Sequence, residues 1–254
     1  MLKRGQVGMF VVIGIVVLAI FILVFFLRDG ILTELVPAED TERILSVKMQ
    51  AFTQHVNDCV DKETKSALDD LAKSGGMLNP VDVLTYDGKT WTVLCGKVDE
   101  HNNCVRTILT KSDFAKILKN KVSQTLPNCI ITSSFEESGY ILTNGEMNLD
   151  VDIGIRNLIV SLNYPTKIQK ETTKIEKDIF PRIFDIDLVG MIDLINDIIE
   201  MEAEDGGFTI SEYPSIFYSE YMIEENKDDI NSYFVVGSTE NDLDFKFAVR
   251  NEDR

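Results

Sequence analysis

VGMFVVIGIVVLAIFILVFFL, residues 7–27, is a run of twenty-one residues without a charge, and it sets the layout of everything that follows. A helix rises 1.5 Å per residue, so about 20 apolar residues cross the hydrocarbon of a bilayer. Between Val7 and Leu27 the chain has that length, and the polar, acidic, cysteine-bearing remainder begins at Arg28. A cleaved secretory peptide has an apolar region of about 7–15 residues and ends at a small-residue site. This run is longer, and Leu27-Arg28-Asp29-Gly30 offers no such site. The expectation is a retained transmembrane helix within residues 1–28, followed by an outer domain over 29–254.

Lys3 and Arg4 precede the run and Arg28 follows it. Cationic flanks stay on the cytoplasmic side and the first flank usually dominates, which predicts a single-pass membrane protein with its N-terminus in the cytoplasm and its large domain outside. Those three cations are the only charges in residues 1–28. The rest of the chain therefore carries 22 basic residues against 42 acidic ones, a net charge of −20. Such a surface repels phosphate backbones, so nucleic acid is not an expected partner. The expected partners are the lipid bilayer, through Val7 to Leu27, and other proteins or further copies of the chain.

All four cysteines, Cys59, Cys95, Cys104 and Cys129, lie beyond the apolar run. An even number in an extracytoplasmic domain reads as two disulfides, with three connectivities. Cys95 and Cys104 flank a loop rich in Gly, Asp and Asn, so a local bridge would close a short turn. Cys59 would then pair with Cys129 and pin an early helix to a later segment. A zinc site on Cys95, Cys104 and His101 has the wrong spacing: eight residues separate the two cysteines, where a zinc knuckle has two to four.

Beyond Gly30 the hydrophobic period is helical from about Ala38 to Lys73. Ile44, Val47, Ala51, Phe52, Val56, Cys59, Val60, Ala67, Leu68 and Leu71 recur mostly three or four apart. Ser74-Gly75-Gly76 ends the pattern, glycine being suited to a left-handed cap. Asp87-Gly88 between Val81–Tyr86 and Thr90–Leu94 predicts a hairpin. A helix is expected from Asp113 to about Thr125, capped by Ser112 and stopped by Pro127. Strands are expected over 129–133, 139–143, 147–155 and 157–164, with a hairpin around Gly154-Ile155-Arg156-Asn157. A long polar strand over 166–179 is expected to lead into a core helix from Pro181 to near Gly206. Residues 231–236 and 243–249 predict a final hairpin. The fold class is α+β, and any subdivision of the outer domain would fall near 76–130.

Chemistry-bearing patterns are thin. His55 and His101 are the only histidines, and His55 sits mid-helix as a surface or boundary residue. There is no nucleophile elbow, phosphate loop or H-E-x-x-H zinc motif. Asp150 and Asp152 share a strand face and Asp185 and Asp187 lie near a helix start, but each pair lacks the further oxygen ligands of a calcium loop. No cofactor or metal is expected, and the chain reads as a non-enzyme.

The start Lys3-Arg4-Gly5-Gln6, running directly into the apolar helix, resembles archaeal prepilins with class III signal peptides. The resemblance implies cleavage between Gly5 and Gln6 on the cytoplasmic side and retention of the helix. Phe10 stands at the fifth mature position, where many pilins carry Glu. The order of amphipathic helix and β-rich domain is also pilin-like. More broadly, the Cys59 helix ending in Gly-Gly, Cys129, Asn163-Tyr164-Pro165 and the terminal Phe247-Ala248-Val249-Arg250-Asn251 resemble archaeal single-pass surface proteins with an R-G-Q leader. The expected function is a membrane-anchored surface protein whose outer domain binds or assembles. Two alternatives stand beside it. One is a pilin-like filament subunit with Gly8 and Gly14 available for close helix packing; the other is an ectoenzyme.

Overall fold

Helix α1 (Ala38–Lys73) is the longest element and spans 36 residues. Its buried stripe is Leu45, Met49, Phe52, Val56, Cys59, Val60, Ala67, Leu68, Leu71 and Ala72, spaced mostly three or four apart. Each such large apolar side chain contributes roughly 1.5–3 kcal/mol when taken from water. The stripe differs from the sequence reading over the first three turns. Leu45 and Met49 face inward, whereas Ile44 and Val47 are exposed. The helix ends as the glycines dictate. Gly75 and Gly76 have φ of 62° and 79°, and their N–H groups donate to Ala72 O at 3.2 Å and Leu71 O at 2.8 Å. That pair of bonds satisfies two terminal carbonyls in the Schellman arrangement.

The chain is seen here in a computed structural model that describes residues 38–98, 104–135, 139–204 and 220–250, with positions 14, 15, 17 and 18 of the apolar run. The expected transmembrane helix, apart from those four helical positions, lies outside the described residues. Among the described residues, no helix is long and apolar enough to cross a membrane.

Two sheets accompany α1. In the first, β1 (Val83–Tyr86) and β2 (Lys89–Val98) form the expected hairpin. Asp87 and Gly88 at its turn both have positive φ, 50° and 71°, which makes it the primed turn that matches strand twist. β3 (Cys104–Arg106) adds to β2. The C-terminal strands β8 (Tyr221–Lys227), β9 (Asn231–Ser238) and β10 (Asp244–Arg250) complete the sheet in the order β1-β2-β10-β9-β8. β9 and β10 form the expected hairpin, whereas β10 runs parallel to β2.

The second sheet holds β4 (Ile141–Asn144), β5 (Asn148–Ile153), β6 (Leu158–Lys170) and β7 (Thr173–Phe184). β4 and β5 pair with successive halves of β6, and β7 pairs along its length. α2 (Lys111–Cys129) lies against α1 and β5, and α3 (Leu188–Glu204) lies near α2 and the first sheet. One contiguous core runs from Leu45 to Val249 through both sheets and all three helices. The α+β class is as the sequence indicates.

Several boundaries differ from expectation. α2 is capped by Thr110 rather than Ser112: the Thr110 hydroxyl accepts from Asp113 N at 3.0 Å. It also continues through Pro127 to Cys129. Buried Phe114, Leu118, Val122 and Leu126 hold it to the core strongly enough to override one missing N–H bond. Cys129 is therefore a helix end, and 133–135 form a 3-10 turn instead of a strand. The single strand expected over 166–179 is the β6–β7 hairpin, turning at Glu171 with φ 55°. Pro181 does not start a helix. It sits opposite Ser161 in β7, which among the described residues pairs with β6 alone, and an edge strand tolerates a residue without an N–H. The core helix begins at Leu188 instead.

Candidate functional site

Cys59 and Cys129 form a disulfide with a Cα–Cα distance of 5.7 Å across a separation of 70 residues. It joins the middle of α1 to the last turn of α2. One turn before Cys59, His55 Nε2 accepts from Ile131 N at 3.3 Å and its ring lies 5.7 Å from that of Phe135. The chain leaving α2 is thus held to α1 at two adjacent points, and His55 is half-buried between them. Cys95 is also disulfide-bonded. Cys104 opens β3, the strand beside β2.

The remaining expected positions are dispersed. Gly5, Gln6, Gly8 and His101 lie outside the described residues. Gly14 is helical, and a Cβ there would meet nothing within 4 Å. Asp150 and Asp152 are exposed on β5 beside α2, where Lys119 approaches Asp150 at 3.9 Å. With Lys111 and Lys116 they line an open groove of about 500 Å³. Its three lysines, Lys111, Lys116 and Lys119, outnumber its two carboxylates. Asp187 caps α3: Oδ1 accepts from Gly190 N at 2.8 Å and Oδ2 from the Tyr221 hydroxyl at 2.7 Å. Burial, then the Asp187 contact, pushes the Tyr221 hydroxyl pKa upward. Among the described residues no group of three His, Cys, Asp or Glu side chains is placed to hold a metal ion.

A recess unforeseen in the sequence lies on the face of the first sheet turned away from the main core. A separate small cluster, Trp91, Val93, Tyr233 and Ala248, floors that face, with Leu84, Tyr86 and Val235 packed against it. Tyr86 stacks on Tyr233 at 4.3 Å, and Trp91 meets Tyr233 edge-on at 5.4 Å. Around them Asp87, Lys89, Glu224, Asn226, Asp244 and Lys246 rim a space of about 540 Å³. Asp228 anchors the floor from the β8–β9 turn. It accepts from Ile230 N at 2.8 Å, Asn231 N at 2.7 Å and the Tyr233 hydroxyl at 2.7 Å. Burial alone would raise the Asp228 pKa, but those donors outweigh it and hold the carboxyl down at about 2. Burial and then the same contact push the Tyr233 hydroxyl up to about 12.

The recess draws on β1, β2, β8, β9 and β10, strands more than a hundred residues apart brought together by the parallel β2–β10 pairing. The only local sign was the alternation of Leu84, Tyr86, Trp91 and Val93, which reads as an ordinary half-buried hairpin. An aromatic floor inside a ring of mixed charges suits binding of a polar surface. No protein family, curated protein or solved structure matches this chain.

Proposed function

We propose that the chain is a single-pass, membrane-anchored cell-surface protein whose acidic outer domain serves binding or assembly. The observation that carries this reading is the Cys59–Cys129 disulfide, because such bonds persist in oxidising compartments outside the cytoplasm. The uncharged run 7–27 supports it independently, since it is long enough to insert and follows Lys3 and Arg4. The recess supports binding: Asp87, Lys89, Glu224, Asn226, Asp244 and Lys246 ring it with charged and polar groups that can recognise a polar surface.

The reading is tested by adding protease to intact cells or right-side-out vesicles. Removal of the domain beyond Asp29, with a membrane-protected N-terminal fragment, is expected. Complete protection of the domain would overturn the orientation, and recovery in the soluble fraction would overturn the anchor.

A further inference from the structure

Strand alternation and register fix which side chains share the recess on the outer face of the first sheet. On β2, Lys89 stands two residues before Trp91, and on β10, Asp244 and Lys246 precede Ala248 at the same spacing. Trp91 and Ala248 both belong to the floor cluster, so these three charged residues point the same way. Lys246 and Glu224 flank Val235 in register, from β10 on one side and β8 on the other. Asp87 reaches the same space from the β1–β2 turn.

From that turn across to β8 the signs alternate: Asp87, Lys89, Asp244, Lys246, Glu224. Among the described residues none of the five makes an ion pair or a side-chain hydrogen bond. Further along β10 such a pair does close, with Arg250 Nη2 3.0 Å from Asp82 Oδ1. Gly237, opposite both Asp244 and Met222, adds no side chain to the floor. A Cβ there would lie 2.6 Å from Asp244 Oδ1, so that carboxylate is set low, over the strand.

The alternation selects the ligand. A cation that reaches any of the three carboxylates meets Lys89 or Lys246 beside it, and an anion drawn to either lysine meets a carboxylate on each side. An uncharged group that both donates and accepts suits such a row. Carboxylates only accept and ammonium groups only donate, whereas a hydroxyl does both and can join the two. Hydrogen bonds to charged partners are also the stronger class. Beneath the charges, half-buried Tyr86 and Val235 and exposed Met222 offer apolar surface. Hydroxyls carried on a C–H frame are the makeup of a saccharide. The space of about 540 Å³ falls within the range of small-molecule sites, about 300–1,000 Å³.

We propose that the recess binds a neutral saccharide, whose hydroxyls meet Asp244 and Lys246 at the centre and whose C–H face rests on Tyr86, Val235 and Met222. The inference rests on the binding role proposed above and names the ligand class of that same site.

Trp91 is the chain's single tryptophan and lines the recess, so its emission reports occupancy. The full chain in lipid nanodiscs is applied to a printed array of neutral oligosaccharides, with sialylated and sulfated glycans and Lys-rich and Glu-rich peptides alongside. Each bound probe is then titrated against Trp91 emission. At least one neutral oligosaccharide is expected to bind and to shift that emission saturably. Raising sodium chloride from about 0.05 M to about 0.5 M should change its dissociation constant less than about twofold, because no ion pair forms. Asp244→Ala should weaken binding about tenfold through loss of a charged acceptor. Gly237→Ala keeps the charge but displaces the Asp244 carboxylate, and should weaken binding about threefold through poorer geometry. Both variants should keep the wild-type thermal unfolding. Absence of neutral-glycan binding, or binding that leaves Trp91 emission and both variants unaffected, would overturn the proposal; a protease-accessible outer domain would still uphold the anchored reading. Binding confined to the sialylated or sulfated glycans, or to the peptides, would overturn the neutral class. Neutral-glycan binding in nanodiscs by a domain fully protected from protease in cells would uphold the ligand and overturn the orientation.

Discussion

Arg182 grips both carboxylate oxygens of Asp61, with Nε 2.6 Å from Oδ1 and Nη2 2.5 Å from Oδ2, and so locks β7 to the middle of α1. The two side chains are 36% and 25% exposed, which places the pair at the edge of the core rather than in it. Two parallel N–H···O bonds set the angle between strand and helix as well as their separation. The contact raises the Arg182 pKa, chiefly through its hydrogen bond to Asp61.

Arg182→Lys keeps the charge and loses the fork. We expect a loss of about 1 kcal/mol in urea unfolding, with Arg182→Ala losing somewhat more. A double-mutant cycle with Asp61→Ala isolates the pair. A coupling energy indistinguishable from zero would show that packing alone sets the β7–α1 angle.

The Cys59–Cys129 bridge closes a loop of about 70 residues, for which the chain-entropy estimate is about 4 kcal/mol. Replacing both cysteines by alanine should therefore lower the unfolding free energy by roughly 2–4 kcal/mol. His55 and Phe135 lie beside the bridge, so loss of order should appear first over residues 131–135 in hydrogen exchange. Non-reducing peptide mapping should recover the 59–129 pair; free thiols at both positions would contradict it.

Asp187 caps α3 and also receives the Tyr221 hydroxyl, so one carboxylate joins the start of a helix to the start of β8. Asp187→Ala should cost about 1–2 kcal/mol, and Asp187→Asn less, because asparagine caps comparably well. Tyr221→Phe removes the link to β8 and keeps the cap. It should expose β8 amides to exchange while leaving those of α3 protected. Equal exchange in both elements would mean that the cap depends on the tyrosine.

Asp228 gives the recess floor a pH dependence. Its folded carboxyl is held at about 2, below the ordinary 3.8, so it stabilises the fold fully above about pH 4, and that contribution fades as pH falls towards 2. Tyr233 acts at the other extreme. Its hydroxyl is raised from 10.0 to about 12, so its contribution is complete below pH 10 and is lost as pH rises towards 12. Asp228→Asn should be less stable than wild type at neutral pH, and the difference should shrink steadily between pH 4 and pH 2. A difference that stays constant over that range would dissociate the carboxylate from the stability of the turn.

The elements that were legible in the sequence carry their signals locally. The limits of α1 follow from apolar residues three and four apart and from Gly75-Gly76, and the β1–β2 turn follows from Asp87-Gly88. The elements misread had local signals that tertiary contacts overruled. Pro127 is a helix breaker by propensity, yet four buried side chains carry α2 past it. Pro181 favours a helix start, yet pairing with β6 draws it into an edge strand. The β6–β7 turn has no glycine or proline to announce it, and Glu171 accepts a left-handed conformation because the long pairing on either side compensates.

By itself, the sequence determined the uncharged run of membrane-spanning length, the acidic remainder, the long helix and the α+β class. Each depends on composition or on spacings of a few residues, where backbone geometry ties pattern to structure directly. Only the tertiary structure decided that β2 and β10 lie side by side in parallel, which assembles Tyr86, Trp91 and Tyr233 into the floor of one recess. It likewise decided that Lys48 and Lys170, more than a hundred residues apart, share the ring of Tyr140. Such meetings leave no periodic trace, because the free energy that selects them comes from burying distant surfaces together and not from any preference of the segments alone.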